Sequence, residues 1–177
     1  MIKTFGVTLK SYPILEKDTV LECFTEGYGR IRLFIRYNQV KSPRFGGLIN
    51  SLNLVEIEAA QKKDSFYLRS IKLSNSFPII KKDFKKMALA FHFLDIIISV
   101  TEQNQENPEL FQILTTYLNQ LNVNEEIIIP ELKASFYQSI LITEGIRSKS
   151  DLLKYNEKKW SKMIEYYTDK EVKEFNC

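Results

Sequence analysis

The alternation Arg30-Ile31-Arg32-Leu33-Phe34-Ile35-Arg36-Tyr37 carries the clearest chemical content in the chain. Successive side chains of a strand point to opposite faces, so Arg30, Arg32, Phe34 and Arg36 share one face. Ile31, Leu33, Ile35 and Tyr37 share the other, an ordinary core face. Guanidinium groups grip phosphate oxygens in forked pairs, and an aromatic ring can stack on an exposed base. The cationic run continues through Lys41 and Arg44 beside Phe45, and no acid interrupts residues 30–47. A second cluster, Lys81-Lys82 with Lys85-Lys86, follows the last strand-like segment. The competing reading is that the arginines only keep a sheet face soluble. Solubility is normally achieved with both signs interspersed, however, and here the acids are missing. If these cations neutralise several phosphates, binding must weaken steeply with salt.

Lys41-Ser42-Pro43-Arg44-Phe45-Gly46-Gly47 reads as a loop by its proline and paired glycines. Paired glycines allow a close backbone approach to a ligand, and they equally serve a plain tight turn. No Gly-Lys-Ser/Thr follows at phosphate-loop spacing, and there is no dinucleotide fingerprint.

Catalysis finds little to work with. The single histidine, His92, lies within an apolar helical stretch, where a structural role outweighs a Ser/His/Asp or Cys/His arrangement. Glu56/Glu58 and Glu125/Glu126 are carboxylate pairs, but a two-metal site needs further acids. Cys23 and Cys177 are the whole thiol inventory, which excludes a four-ligand zinc site. Cys23 reads as a small buried hydrophobe, and a Cys23–Cys177 disulfide is disfavoured in a reducing compartment. We therefore expect no enzyme and no cofactor.

The elements that must hold these residues fall into two groups. Ile2 to Lys10, Thr19 to Phe24, Arg30 to Tyr37, Ser51 to Ala60 and Ser65 to Leu73 read as five strands. Glu26-Gly27-Tyr28-Gly29 and Gln61-Lys62-Lys63-Asp64 supply turns. Five short strands without an intervening helix predict a closed barrel, OB-type first and SH3-like second. Beyond Phe77-Pro78 the period becomes helical. Asp83 opens a helix whose apolar face is expected to include Phe84, Met87, Ala88, Phe91, Leu94 and Ile98. Asn107-Pro108-Glu109 starts a second, with Leu110, Phe111, Leu114, Leu118 and Leu121 on one face. A third spans Glu125 to Glu144 with Pro130 in or before its first turns, ending near Gly145. Ser150-Asp151 opens a short segment, and Asn156 to about Val172 forms the last helix. The fold class is α+β: an OB-type barrel over residues 1–80, then an α-helical domain over 81–177.

The formal net charge of +3 conceals an asymmetry. Residues 1–86 carry 16 Lys/Arg against 8 Asp/Glu, and residues 87–177 carry 9 against 14. A polyanion is drawn to the first half, and the second is free to meet another kind of partner. No apolar stretch is long enough to cross a bilayer and no leader pattern opens the chain, so a cytoplasmic location is expected.

Several pieces resemble one family in order and spacing across residues 1–121. Phe5-Gly6-Val7 through Lys10-Ser11 resembles the first strand of bacterial RecO. Phe24-Thr25-Glu26 with Gly29, and Lys41-Ser42 with Arg44-Phe45-Gly46-Gly47, look like its glycine-bearing loop. Ser76-Phe77-Pro78 before Asp83 is similar to its exit from barrel to helix, and Asn107-Pro108-Glu109-Leu110-Phe111 to the start of its second long helix. The resemblance implies an OB-fold that binds single- and double-stranded DNA and anneals strands. It also implies partnership with RecR in loading RecA onto DNA coated by single-strand-binding protein. Family members receive that protein's acidic, Phe-ended tail on the helical domain; Lys133 and Arg147 are the cations considered for it here. Many members carry a four-cysteine zinc-ribbon-like insertion that this sequence lacks. The alternative is a non-catalytic adaptor whose basic barrel face receives an acidic protein segment.

Overall fold

The computed structural model describes residues 1–14, 18–40, 45–63, 65–123, 126–148 and 156–172. Lys41, Arg44, Asp64, Glu125, Ser150, Asp151 and Cys177 lie outside them. The chain divides into two compact units, Met1–Phe77 with Glu102–Phe111, and Pro78–Thr101 with Gln112–Cys177. The division is not contiguous in sequence: ten residues that follow the first long helix group with the barrel.

The first unit is built on β1 (Ile2–Pro13), β2 (Thr19–Thr25), β3 (Gly29–Ile35), β4 (Leu54–Lys62) and β5 (Ser65–Asn75). They close in the order β1-β2-β3-β5-β4 and back to β1. Every pairing is antiparallel except β3 with β5, which run parallel through Leu33↔Phe66 and Phe34↔Tyr67. This is the OB-type barrel expected from the five alternating runs. Closure leaves no free sheet edge. Alternation decides what fills the barrel: Ile31, Leu33 and Ile35 of β3 meet Val55, Ile57, Phe66 and Leu68 of β4 and β5, all buried. Cys23 belongs to the same core, and its burial raises the thiol pKa well beyond any physiological range.

Two strand limits differ from the sequence reading. β3 stops at Ile35, because Tyr37–Val40 turns into a short helix, α1, whose first amide is held by Asp18 Oδ1 at 2.8 Å. β4 starts at Leu54, because Ser51–Asn53 instead form a turn tied back to β1. Thr8 Oγ1 accepts from Asn53 N at 2.9 Å, and Asn53 Nδ2 donates to Gly47 O and Asn50 O at 3.1 Å.

The second unit holds α2 (Phe84–Val100), most of α3 (Pro108–Leu121), α4 (Ile129–Thr143) and α5 (Glu157–Thr168). Asp83 caps α2 by accepting from Lys86 N, Asn107 accepts from Leu110 N, and Asn156 caps α5 by accepting from Lys159 N. Pro130 sits in the first turn of α4, where its missing N–H costs nothing, and Gly145 ends the segment at φ +67. The expected face of α2 is corrected. Phe84 is 73% and Phe91 41% exposed, and Met87, Ala88 and Ile98 are only half-buried. The buried stripe is Leu89, Ala90, Phe93, Leu94, Ile96 and Ile97, with Phe93 stacked on Phe136 at 4.0 Å. This helix is apolar on most of its circumference, so periodicity alone does not select the packed side.

Candidate nucleic-acid interface

The outer side of β3 is not the uniform arginine face that alternation suggests. Segment Glu102–Phe111 lies along it. Asn104 N donates to Arg30 O at 3.0 Å, Gln103 bridges Arg30, and Phe111 packs on Phe24 of β2 with ring centroids 5.9 Å apart. A Cβ on Gly29 would stand 1.8 Å from the Gln105 carbonyl oxygen, so the segment approaches this backbone as closely as only glycine permits. Arg30 is thereby half-buried and its Nε lies out of reach of solvent.

Arg32 is half exposed and shares one carboxylate with Lys10. Its Nε donates to the buried Glu22 Oε1 at 3.1 Å, and Lys10 Nζ stands 3.6 Å from Glu22 Oε2. Tyr12 completes the cluster by donating to Oε1 at 3.1 Å, and its hydroxyl pKa is raised, first by burial and then by the Glu22 charge. With its amide oxygen turned to the guanidinium, as two converging donors require, Gln103 accepts from Arg32 Nε and Nη2 at 2.8 Å. Arg30 and Arg32 are therefore structural members of the β2–β3–segment interface. Glu22 lies eight and ten residues before them in sequence, and the antiparallel pairing of β2 with β3 sets it opposite Arg32.

Phe34 and Arg36 lead to a different surface. The parallel register places Phe34 beside Tyr67 of β5, and the rings stack with centroids 5.5 Å apart at 29°. Lys62 Nζ lies 5.7 Å from the Tyr67 centroid, and Tyr67 is still 38% exposed. Two residues further along each chain come Arg36 and Arg69, both exposed. Among the described residues, Arg36, Lys62 and Arg69 form no ion pair. The contrast with β1 and β4 is direct, since Lys3 and Lys72 flank Glu56 at 2.8 and 4.0 Å. Glu56 is accordingly held below the usual carboxylate range, chiefly by its hydrogen bond to Lys3. One part of the barrel exterior is charge-balanced, while the β3–β5 part presents cations around an aromatic pair. Tyr67, Lys62 and Arg69 were not singled out from sequence. The alternation Phe66-Tyr67-Leu68-Arg69 puts ring and guanidinium on one face, and β3–β5 adjacency in an OB-type barrel would have joined them to Phe34.

The other expected residues fall as follows. Phe45 packs half-buried on the barrel core, and Gly46 and Gly47 have nothing within 4 Å of an added Cβ. In the second unit Lys81, Lys82 and Lys85 are exposed, but Lys86 is buried with its ammonium donating to Val123 O at 2.6 Å. Lys133 is likewise buried, paired with Glu157. Arg147 is half-buried in the turn after α4, where its amide donates to Leu141 O at 3.0 Å. His92 is enclosed against Tyr137 Oη at 3.1 Å, which meets Ser161 Oγ at 3.0 Å, and burial lowers its pKa to about 4. Among the described residues no group of three His, Cys, Asp or Glu is placed to hold a metal ion, and no helix is long and apolar enough to cross a membrane.

A closed five-stranded OB-type barrel joined to a helical unit is the class of protein these elements define. Residues 1–77 match the family model described as Recombination protein O N terminal, and residues 81–136 match Recombination protein O C terminal. The chain belongs to the RecO family of DNA repair and recombination proteins. It is similar to the DNA repair protein RecO of Caldanaerobacter subterraneus subsp. tengcongensis, 29% identical over 110 residues, which are 62% of this chain and 44% of that one. The RecO of Anaeromyxobacter sp. is 26% identical over 123 residues, 68% and 48% of the two chains. That of Geobacter metallireducens is 23% identical over 149, or 84% and 60%. The chain thus spans about half the length of the curated relatives it matches.

Proposed function

We propose that the chain binds DNA, single- and double-stranded, through the β3–β5 face of its barrel, and acts as a recombination mediator without covalent chemistry. The observation that carries this reading is the set of unpaired cations Arg36, Lys62 and Arg69 around the Phe34–Tyr67 pair. Phosphates take the cations and bases take the rings. By family membership the activity extends to strand annealing and, with RecR, to loading RecA on DNA coated by single-strand-binding protein. The acidic tail of that protein has a better seat than Lys133. A groove of about 610 Å³ lies along α5, lined by Ile146, Lys159, Lys162, Met163, Tyr166 and Tyr167. It offers apolar contact beside two ammonium groups, in the acidic half of the chain. The one imidazole, His92, is enclosed and engaged by Tyr137.

The test is fluorescence anisotropy with labelled DNA and the triple reversal Arg36→Glu, Lys62→Glu, Arg69→Glu. The reversal is expected to remove most binding while circular dichroism stays unchanged, because all three side chains are exposed. A folded triple variant that binds like the parent would contradict the assignment of this face. An acidic peptide that competes with DNA there would instead favour an adaptor role.

A further inference from the structure

We infer that Tyr67, backed by Phe34, is the residue by which this surface distinguishes single-stranded from duplex DNA. The inference rests on the DNA-binding reading and adds a division of labour within the same face. The cations and the rings differ in what they can reach. Arg36, Lys62 and Arg69 are exposed and unpaired among the described residues, and a phosphate chain meets them equally well whether its bases are paired or free. The Phe34–Tyr67 pair is apolar surface on the outside of a barrel whose other outward aromatic on β2, Phe24, is covered by Phe111. In a duplex the base faces are already stacked on one another and offer nothing to a ring. An unpaired base offers its whole π-face.

The geometry suits that use. Phe34 is half-buried and stacks on the Tyr67 ring, so the tyrosine is positioned by a contact that binding need not create. The ring's second neighbour is the Lys62 ammonium, on a long exposed stem at 5.7 Å. A base arriving at the ring gives that ammonium a phosphate of the same nucleotide chain in place of the π-face. Stacking and phosphate contact therefore come together for a single strand, while a duplex gains the second alone.

The test compares the full chain with Tyr67→Ala, Tyr67→Phe and Lys62→Ala. Each is titrated into fluorescent oligothymidylate of about 15 nucleotides and a duplex of about the same length, at several salt concentrations. Tyr67→Ala is expected to weaken single-strand binding about tenfold and duplex binding less than about twofold, with the salt slope unchanged. Tyr67→Phe should bind as the parent does. Lys62→Ala should weaken both ligands and reduce both salt slopes by about one contact. If Tyr67→Ala unsettles the barrel, Tyr67→Leu keeps apolar bulk without a π-face and is expected to show the same selective loss. Equal loss on both ligands, or none, with the parent still binding DNA overturns the inference and leaves the DNA-binding reading intact. A folded parent that binds neither ligand overturns both.

Discussion

Three residues show how far side-chain identity falls short of side-chain environment. Arg32 reads from sequence as a free phosphate ligand, and its half-exposed guanidinium is hydrogen-bonded to Glu22 and Gln103. Lys86 reads with its neighbours as an exposed cation, yet its ammonium is buried on a carbonyl oxygen. His92 reads from sequence as structural, and its burial against Tyr137 agrees. It also makes a testable demand. A histidine held at about 4 when folded and near 6.5 when unfolded takes up a proton on unfolding, so its contribution is intact above about pH 6.5 and fades as pH falls toward 4. Glu157 and Lys133, which act on it in opposite senses, leave burial as the leading cause. The loss between those limits is on the order of 3 kcal/mol at most. Urea melts at pH 7 and pH 5 should show the parent losing stability where His92→Gln loses much less. Equal losses in both proteins would remove His92 as the source.

At the scale of elements the sequence was legible where one face is buried and ambiguous where none is. The strict alternation of β3 and the caps at Asp83, Asn107 and Asn156 are local signals with local physical causes, and the structure follows them. The packed side of α2 was not legible, since both sides are apolar. Phe93→Ala should cost about 3–5 kcal/mol in stability, whereas Phe84→Ser should cost less than about 0.5. Comparable losses from both in thermal denaturation would restore the original assignment of the face. The association of Glu102–Phe111 with the barrel was also invisible, because the segment has no period and its partners are some 70 residues away. Gly29 is where it can be tested. Gly29→Ala places a methyl group inside the Gln105 carbonyl at an unfavourable φ, and should destabilise the barrel by about 2–4 kcal/mol. Glycine-like stability in that variant would show that the segment does not seat there.

For the whole molecule, the charge division between the two halves of the sequence points to a polyanion partner for the first half. Which cations serve was not readable, because pairing depends on what the barrel brings alongside each strand. β2 brings Glu22 to Arg32; β5 brings Tyr67 and Arg69 to Phe34, and the Asp18 carboxylate near Arg36 is engaged by the Tyr37 amide rather than in an ion pair. Within β3, Arg30 and Arg32 are engaged by Glu22 and the Glu102–Phe111 segment, whereas Phe34 stacks on Tyr67 and Arg36 follows the strand's end.

The salt dependence of DNA binding tests this most directly. With Arg36, Lys62 and Arg69 each neutralising one phosphate of a single strand, log affinity should fall against log salt with a slope of at least about −2. The slope should shrink toward zero in the triple charge reversal and stay unchanged in Lys3→Gln, whose ammonium is already matched by Glu56. A parent protein that is folded yet binds with no salt dependence, or whose slope survives the triple reversal, would contradict the claim that these cations meet the phosphate chain.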